Sequence, residues 1–576
     1  MKRKGLTRKE VLKLGGAAVA AGVSLGLTGI LRAGEAPGRL TRRRPNILLI
    51  VTDQYRARAD LPAGLNLASE ARLAERGVTF PAFHVNAVAC GPARSVLYTG
   101  QHIQHTRVFD NPTTLGGVDL DPGRTPTIGQ MLQAVGYYTA YKGKWHLSTF
   151  GGRKLDDYVQ ALAPFGFDEY QHIADSYGAT HGGYRLDPVI AGMGAKWLHQ
   201  RAADVAREKP WFLAVNLINP HDIMFMDATG RQRQTRILPG YISELRPPPD
   251  ADPYRDDLGY DLPATFPGDL STKPEAHRAF VEDTGYVYGE LPLGDMPAWR
   301  RYQNYYFNCC RDVDRHIGTL LAALEVSGQA DNTIVIFTSD HGEMAGAHGL
   351  RLKGPLIYKE NVQVPLIVVH PDIAGGTAAG ALACSLDIAP TLLGCAGLSA
   401  TETAERFPAL KGFDLSPSLA DPMRAGARAV TAGAILLNFS AVYPANPRLK
   451  RRYLEHRKAA QAEGKTWTAK FPDDVVQFEI HSFYRGFYDG RYRFARYFRP
   501  GDHHTPRDWA TLVRRNDLEL YDTRNDPLET NNLGYRPIRH KRLIQQLNAR
   551  LNALIAREVG VDDGSHMPGD PALWHQ

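Results

Sequence analysis

The chain has 576 residues, of which 43% are hydrophobic and 22% charged, with a formal net charge of +7. This is the composition of a globular protein with a large core, which excludes a disordered or collagenous chain, and five cysteines are too few for a disulfide framework. The positive surplus is small for this length and spread along the chain, so nucleic acid is not expected as a partner.

At the start, Lys2, Arg3, Lys4, Arg8 and Lys9 precede an apolar, glycine- and alanine-rich stretch from Val11 to Leu31, with small residues near Ala33 to Ala36. That is the layout of an export signal over residues 1–36. The segment from Thr7 to Lys13 resembles a twin-arginine signal with lysine in the second basic place, and the general secretory route fits as well. No other apolar run is long enough to cross a membrane. The expected location is periplasmic or extracellular, with no stable membrane insertion once the signal is cleaved.

Asn46 to Val51 (NILLIV) is a short apolar run that ends in Thr52-Asp53-Gln54. Three later runs repeat the arrangement. Tyr137 to Tyr141 leads into Lys142-Gly143-Lys144-Trp145-His146, Trp211 to Leu217 into Asn219-Pro220-His221-Asp222, and Thr333 to Thr338 into Ser339-Asp340-His341-Gly342-Glu343. Helical segments such as 126–135 and 302–324 separate them, which predicts an α/β fold with a large, mostly parallel sheet sandwiched by helices. Taken singly, each polar tail has an ordinary reading as a cap, a solvated lysine, a loop histidine or a turn. Ligands in such sheets bind beyond the carboxyl ends of the strands, so together the four tails predict one site.

Between the first two runs lies Cys90-Gly91-Pro92-Ala93-Arg94, followed by Thr99-Gly100. Pro92 marks a helix starting just after Cys90, with its free N–H groups and positive dipole end turned to that residue. Arg94 adds a fixed cation whose fork matches oxygen acceptors. The plain alternative is a buried free cysteine before an ordinary helix. Asp53, Gln54 and Asp340 offer hard oxygens suited to Ca²⁺ or Mg²⁺, and His341 adds a nitrogen that tilts towards Mn²⁺.

Further along, residues 222–299 are rich in proline and acidic residues, too much so for regular structure, and form a candidate substrate lid beside His221. Val364 to His370 predicts a buried strand, and Asp387 a helix cap. Cys309, Cys310, Cys384 and Cys395 are expected to be reduced, in helical cores. The basic run Arg448-Leu449-Lys450-Arg451-Arg452 reads as a solvated helix face. Residues 431–576 are expected to form a smaller α+β subdomain, with a short antiparallel sheet and a terminal helix over Lys541 to Glu558.

The run from Cys90 to Arg94 with its downstream Thr-Gly resembles the signature C-x-P-x-R of the type I sulfatases, in the alkaline phosphatase superfamily. The resemblance covers nearly all of the chain after residue 36, with 45–430 as its catalytic domain. It implies that a formylglycine-generating maturation enzyme oxidises Cys90 to 3-oxoalanine, whose hydrate carries two geminal hydroxyls. It further implies that Lys144 neutralises the sulfate, that His146 is the base for sulfate release, and that His221, near its ordinary pKa, is the general acid. Lys353 falls where the family places a second lysine, and Arg94 completes the catalytic set. Asp53, Gln54, Cys90, Asp340 and His341 would hold one divalent metal, with Ca²⁺ favoured, Mn²⁺ next and Mg²⁺ also open.

The pairs Asp53-Gln54 and Asp340-His341 resemble a subgroup that includes choline sulfatases and phosphonate monoester hydrolases. Glu343 and His348 are read as supporting residues. The expected activity is hydrolysis of an organic sulfate ester, from a sulfated small molecule or a sulfated glycan. A phosphonate monoester or phosphodiester hydrolase, and a non-catalytic binder of sulfated glycans, are the alternatives.

Overall fold

The computed structural model describes residues 44–567 apart from 113–116, 150–158, 172–177, 233–242 and most of 442–479. The predicted export signal and the basic run from Arg448 lie outside the described residues. Among the described residues the strands in chain order are β1 (Asn46–Asp53), β2 (Val78–Thr79), β3 (Phe83–His84), β4 (Tyr138–Gly143), β5 (Glu169–Gln171), β6 (Trp211–Pro220), β7 (Thr333–Ser339), β8 (Leu366–Val369), β9 (Thr377–Ala378), β10 (Ala383–Cys384), β11 (Ile435–Phe439), β12 (Phe483–Tyr488), β13 (Tyr492–Phe498) and β14 (Asp517–Asp522). Eight of them form one sheet in the order β5-β4-β6-β1-β7-β8-β2-β9. Its left half, through β7, is parallel throughout, and β8 runs antiparallel to β7.

The central strands are apolar on both faces because both faces are covered. Side chains alternate along a strand, so Ile47, Leu49 and Val51 enter one core with Phe212 and Ile336, below the Cys90–Thr99 helix. Leu48 and Ile50 enter the other core, with Trp197 of the Gly182–Gln200 helix and Tyr306, Cys309 and Cys310 of the long Met296–Val326 helix. A separate sheet, β11-β12-β13-β14, is antiparallel. Leu436, Phe487, Phe494 and Leu520 on one of its faces pack on Ile544, Leu547 and Leu551 of the Lys541–Glu558 helix. Its other face, with Leu437, Tyr484 and Tyr497, joins the first core.

Several expectations are corrected. The segment 222–299 is not without regular structure, since Glu275–Tyr288 is a 14-residue helix. That stretch contains no proline; Pro274 stands just before it, and the prolines that weight the composition lie elsewhere in the segment. The helix expected just after Cys90 starts at Cys90 itself, which places Pro92 third in the helix. All five cysteines are free, and Cys384 lies in the two-residue strand β10, outside any helix. Asp387 caps the short turn before its helix: its carboxylate accepts from Cys384 N–H at 2.8 Å and Phe413 N–H at 2.8 Å, and pairs with Arg428 at 2.6 Å.

Candidate active site

Register alone brings the four polar tails together. In the parallel array β4-β6-β1-β7, Gly143 pairs with Asn216, Asp53 with Pro220 and Thr52 with Ser339. The residues that follow, Lys144, His221 and Asp340, therefore leave the sheet side by side at its carboxyl edge. The Cys90–Thr99 helix points its first residue at that edge, where Cys90 Sγ lies 3.2 Å from His341 Nε2 and 3.8 Å from Asp53 Oδ1.

Asp53, Cys90, Asp340 and His341 are all buried, and one ligand atom from each lies within 4.8 Å of the others. His341 Nδ1 sits 3.0 Å from the Gly342 carbonyl, which fixes a ring proton on that nitrogen and aims Nε2 at Cys90 and the two carboxylates. Two hard carboxylates, one oriented imidazole and a residue at a helix start fit a divalent cation.

Cations hold this group in place. Arg94 is fully buried, with Nε 2.9 Å from Asp340 Oδ2, Nη2 3.3 Å from Asp53 Oδ2, and Nη1 3.1 Å from Asn216 Oδ1 and from the Lys144 carbonyl. Each guanidinium nitrogen is thus engaged by protein, so Arg94 braces the carboxylates. Lys144 Nζ lies 2.7 Å from Asp53 Oδ2. Burial opposes ionisation of Asp53, but Lys144, His221 and Arg94 hold its carboxyl well below the usual range. Burial and then Asp53 push the Asp340 carboxyl up. Burial and Asp53 likewise raise the Cys90 thiol, yet Lys353, Lys144 and His341 together carry it below its ordinary value.

Lys353 Nζ donates to Gln54 Oε1 and lies 2.8 Å from Met224 Sδ. His146 is buried, and burial followed by Lys144 and Arg94 keeps it neutral. His221 is also buried, its ring 6.1 Å from Phe225, and a Cβ at Gly178 would stand 2.8 Å from its Cε1, so glycine permits the close approach. The expected near-normal pKa for His221 is corrected: burial first, then Lys353 and Lys144, hold it well below 6.5. His348 belongs to another neighbourhood, stacked on Tyr358 at 3.8 Å.

Two supporting residues were not singled out from the sequence. Asn216 accepts from Arg94 and from Tyr98 O–H at 2.8 Å, while its carbonyl accepts from Lys144 N–H at 3.1 Å. The signal was present, because Asn216 is an amide inside the apolar run WFLAVNL. Tyr306 O–H donates to the Gln54 carbonyl at 3.0 Å, from a long helix distant in sequence that gives no such hint.

The strand ends, the helix-borne cysteine and the buried carboxylate–imidazole group together define a hydrolytic α/β enzyme for anionic esters. Residues 45–398 match the sulfatase family model, and the chain belongs to the sulfatase family; it is a sulfuric ester hydrolase. It is similar to the N-acetylglucosamine-6-O-sulfatase of Bacteroides thetaiotaomicron, 28% identical over 428 residues that cover 66% of this chain and 72% of that protein. The choline-sulfatase of Rhizobium meliloti is 27% identical over 405 residues, with coverage of 66% and 72%. Among solved structures, a 2-O GAG sulfatase superposes with a TM-score of 0.62 at 20% identity, over 92% of this chain and 96% of that one. The phosphonate monoester hydrolase of Silicibacter pomeroyi does so at 0.59 and 19%, over 90% and 96%. These two structures share the fold.

Proposed function

We propose that the chain hydrolyses a sulfate ester of a small molecule or glycan through Cys90 converted to formylglycine, with one divalent ion, Ca²⁺ before Mn²⁺ or Mg²⁺. The observation that carries this reading is the placement of Cys90 Sγ 3.2 Å from His341 Nε2, at a helix start beside two buried carboxylates. The sulfur marks where the hydrated aldehyde would stand. Such a hydrate would offer one hydroxyl to take the sulfuryl group and a second to release it. Asp53, Gln54, Asp340 and His341 with residue 90 would hold the ion, which would supply Lewis acidity at the hydroxyl and at a sulfate oxygen.

The remaining work falls to this chain's own side chains. Lys144 and Lys353 neutralise the non-bridging oxygens, each fixed cation in a dry site contributing a few kcal/mol. His221 gives a proton to the leaving oxygen as the S–O bond breaks, and a bound sulfate beside Lys144 and Lys353 offsets the two charges that depress its proton affinity. His146, kept neutral, accepts the proton that accompanies sulfate release. The balance is one ester and one water giving alcohol, sulfate and a proton.

Among the described residues no helix is long and apolar enough to cross a membrane. We place the enzyme outside the cytoplasm, on the export-signal pattern of residues 1–36. A phosphonate monoesterase is the second reading, favoured by the pairs Asp53-Gln54 and Asp340-His341, where the Gln54 amide stands in for one carboxylate and lowers the negative charge at the ion. Relative rates on an aryl sulfate and an aryl phosphonate monoester separate the two.

Mass spectrometry of the Cys90 peptide from natively produced protein is the direct test, and the same spectra read the mature N-terminus. Formylglycine is the expected species, and Cys90→Ala is expected to lose turnover by about 10⁴-fold or more while remaining folded. Unmodified cysteine in fully active protein would sink the proposal. An N-terminus retaining residues 1–36 in the exported fraction would sink cleavage of the signal.

A further inference from the structure

Gln54 is an amide surrounded by charge. Its Nε2 donates to Glu343 Oε2, its Oε1 accepts from Lys353 Nζ, and its backbone N–H donates to Asp340 Oδ1 at 3.2 Å. The two ends of a carboxamide are nearly the same size, so hydrogen-bond partners and not shape decide which way it faces. Glu343 makes that decision. Its other oxygen, Oε1, accepts from Ala345 N–H at 2.8 Å and Leu352 N–H at 2.6 Å, and the whole side chain is buried. A carboxylate has no proton to give, so the amide can only turn its NH₂ towards Glu343 and its oxygen towards Lys353.

We propose that Glu343 is a positioning residue that holds the Gln54 amide with its oxygen inward, so that the oxygen of a neutral glutamine both accepts from Lys353 and is available as a ligand to the divalent ion. This rests on the reading of Gln54 as a ligand given above. Through the Leu352 N–H the same carboxylate also anchors the turn, with Leu352 at φ 64°, that presents Lys353. Glu343 thereby ties the end of β1, the segment after β7 and Lys353 into one arrangement.

The decisive variant is Glu343→Gln, which keeps size and shape. Ala345 and Leu352 can only donate, so they retain the new carbonyl oxygen, and the new NH₂ must face Gln54. The Gln54 amide then reverses and sets its own NH₂ against the Lys353 ammonium. The exchange Gln54→Glu with Glu343→Gln restores an acceptor facing Lys353 and a donor facing residue 54.

Calcium titrated into purified full-length protein reads the effect, with the thermal midpoint of the metal-free protein as control. Glu343→Gln is expected to weaken calcium binding about 10- to 100-fold, the usual reach of a residue behind a metal ligand, and the exchanged pair to recover at least about tenfold of that loss. Wild-type calcium affinity in Glu343→Gln overturns the proposal. So does an exchanged pair that binds no better than Glu343→Gln, or a Glu343→Gln protein whose metal-free midpoint falls as far as that of Glu343→Ala. Asp340→Asn binding calcium like the wild type would instead sink the metal site itself, an outcome separate from the other three.

Discussion

Two buried polar clusters in this molecule use the same ingredients to opposite ends. At the carboxyl edge of the large sheet, the ligand atoms of Asp53, Asp340, His341 and Cys90 face one another. Between that sheet and the small antiparallel one, Glu519 is equally buried but saturated. Tyr497 and Tyr521 each donate to it at 2.6 Å, His277 lies 3.4 Å away, and Lys273 Nζ closes the network at 3.0 Å from Tyr521. Burial of charge therefore does not mark function here. What marks it is that the acceptors at the sheet edge converge on a common point, at the cost of Asp53 raising the pKa of Asp340, whereas the acceptors around Glu519 are each spent on a protein donor.

The comparison breaks most visibly at His221. Its Nδ1 has no hydrogen-bond partner among the described residues, so its removal breaks no hydrogen bond at that nitrogen while taking away the proposed proton donor. His221→Ala is expected to slow an alkyl sulfate by about 10²- to 10⁴-fold and 4-nitrophenyl sulfate far less, because only a basic leaving oxygen needs the proton. Equal losses on the two substrates would remove His221 from the acid role.

Arg94 sharpens the contrast, since it is a bracing residue inside the functional cluster. Arg94→Met leaves Asp53 and Asp340 facing each other without their shared counterion, and is expected to destabilise the metal-free protein by about 3–5 kcal/mol. Calcium should recover part of that loss, which thermal melts with and without the ion would register. A metal-free midpoint equal to wild type would show that Arg94 does not brace the pair.

Much of this was readable in the chain because the chemistry sits where strands stop. The apolar runs before Asp53, Lys144, His221 and Asp340 predicted four strands that the structure places within a few residues, and parallel register then fixed the neighbours. Arg94 was legible as a cation but not as a brace, because its partners Asp340 and Asn216 lie 246 and 122 residues away. The role of Glu343 was hidden for a related reason: it depends on the chain folding back so that Leu352 reaches it. The proline-rich composition of 222–299 concealed the Glu275–Tyr288 helix, since averaging over the segment hides a proline-free stretch with a buried face of Ala276, Phe280 and Val287. Nor could the lowered pKa of His221 be seen in advance, because burial and two lysines brought from distant segments produce it.

The smallest effect belongs to the saturated cluster, and it runs through pH. Burial opposes ionisation of Glu519, but His277, Tyr497 and Tyr521 carry its pKa down from 4.5 to about 2. A carboxyl depressed in the folded state contributes stability that is complete above its unfolded pKa and is lost as pH falls through the folded one. The wild-type contribution is therefore full at neutral pH and disappears between pH 4.5 and about 2. Glu519→Gln removes the charge but keeps the shape, and should cost about 1–3 kcal/mol at pH 7 through the weakened bonds from the two tyrosines. Denaturant titrations at pH 7 and pH 3 should show the gap between the two proteins narrowing in acid, with sulfatase turnover at pH 7 unchanged. A gap that stays constant would mean that Glu519 is not the group titrating there, and a fall in turnover would join the two clusters that this comparison keeps apart.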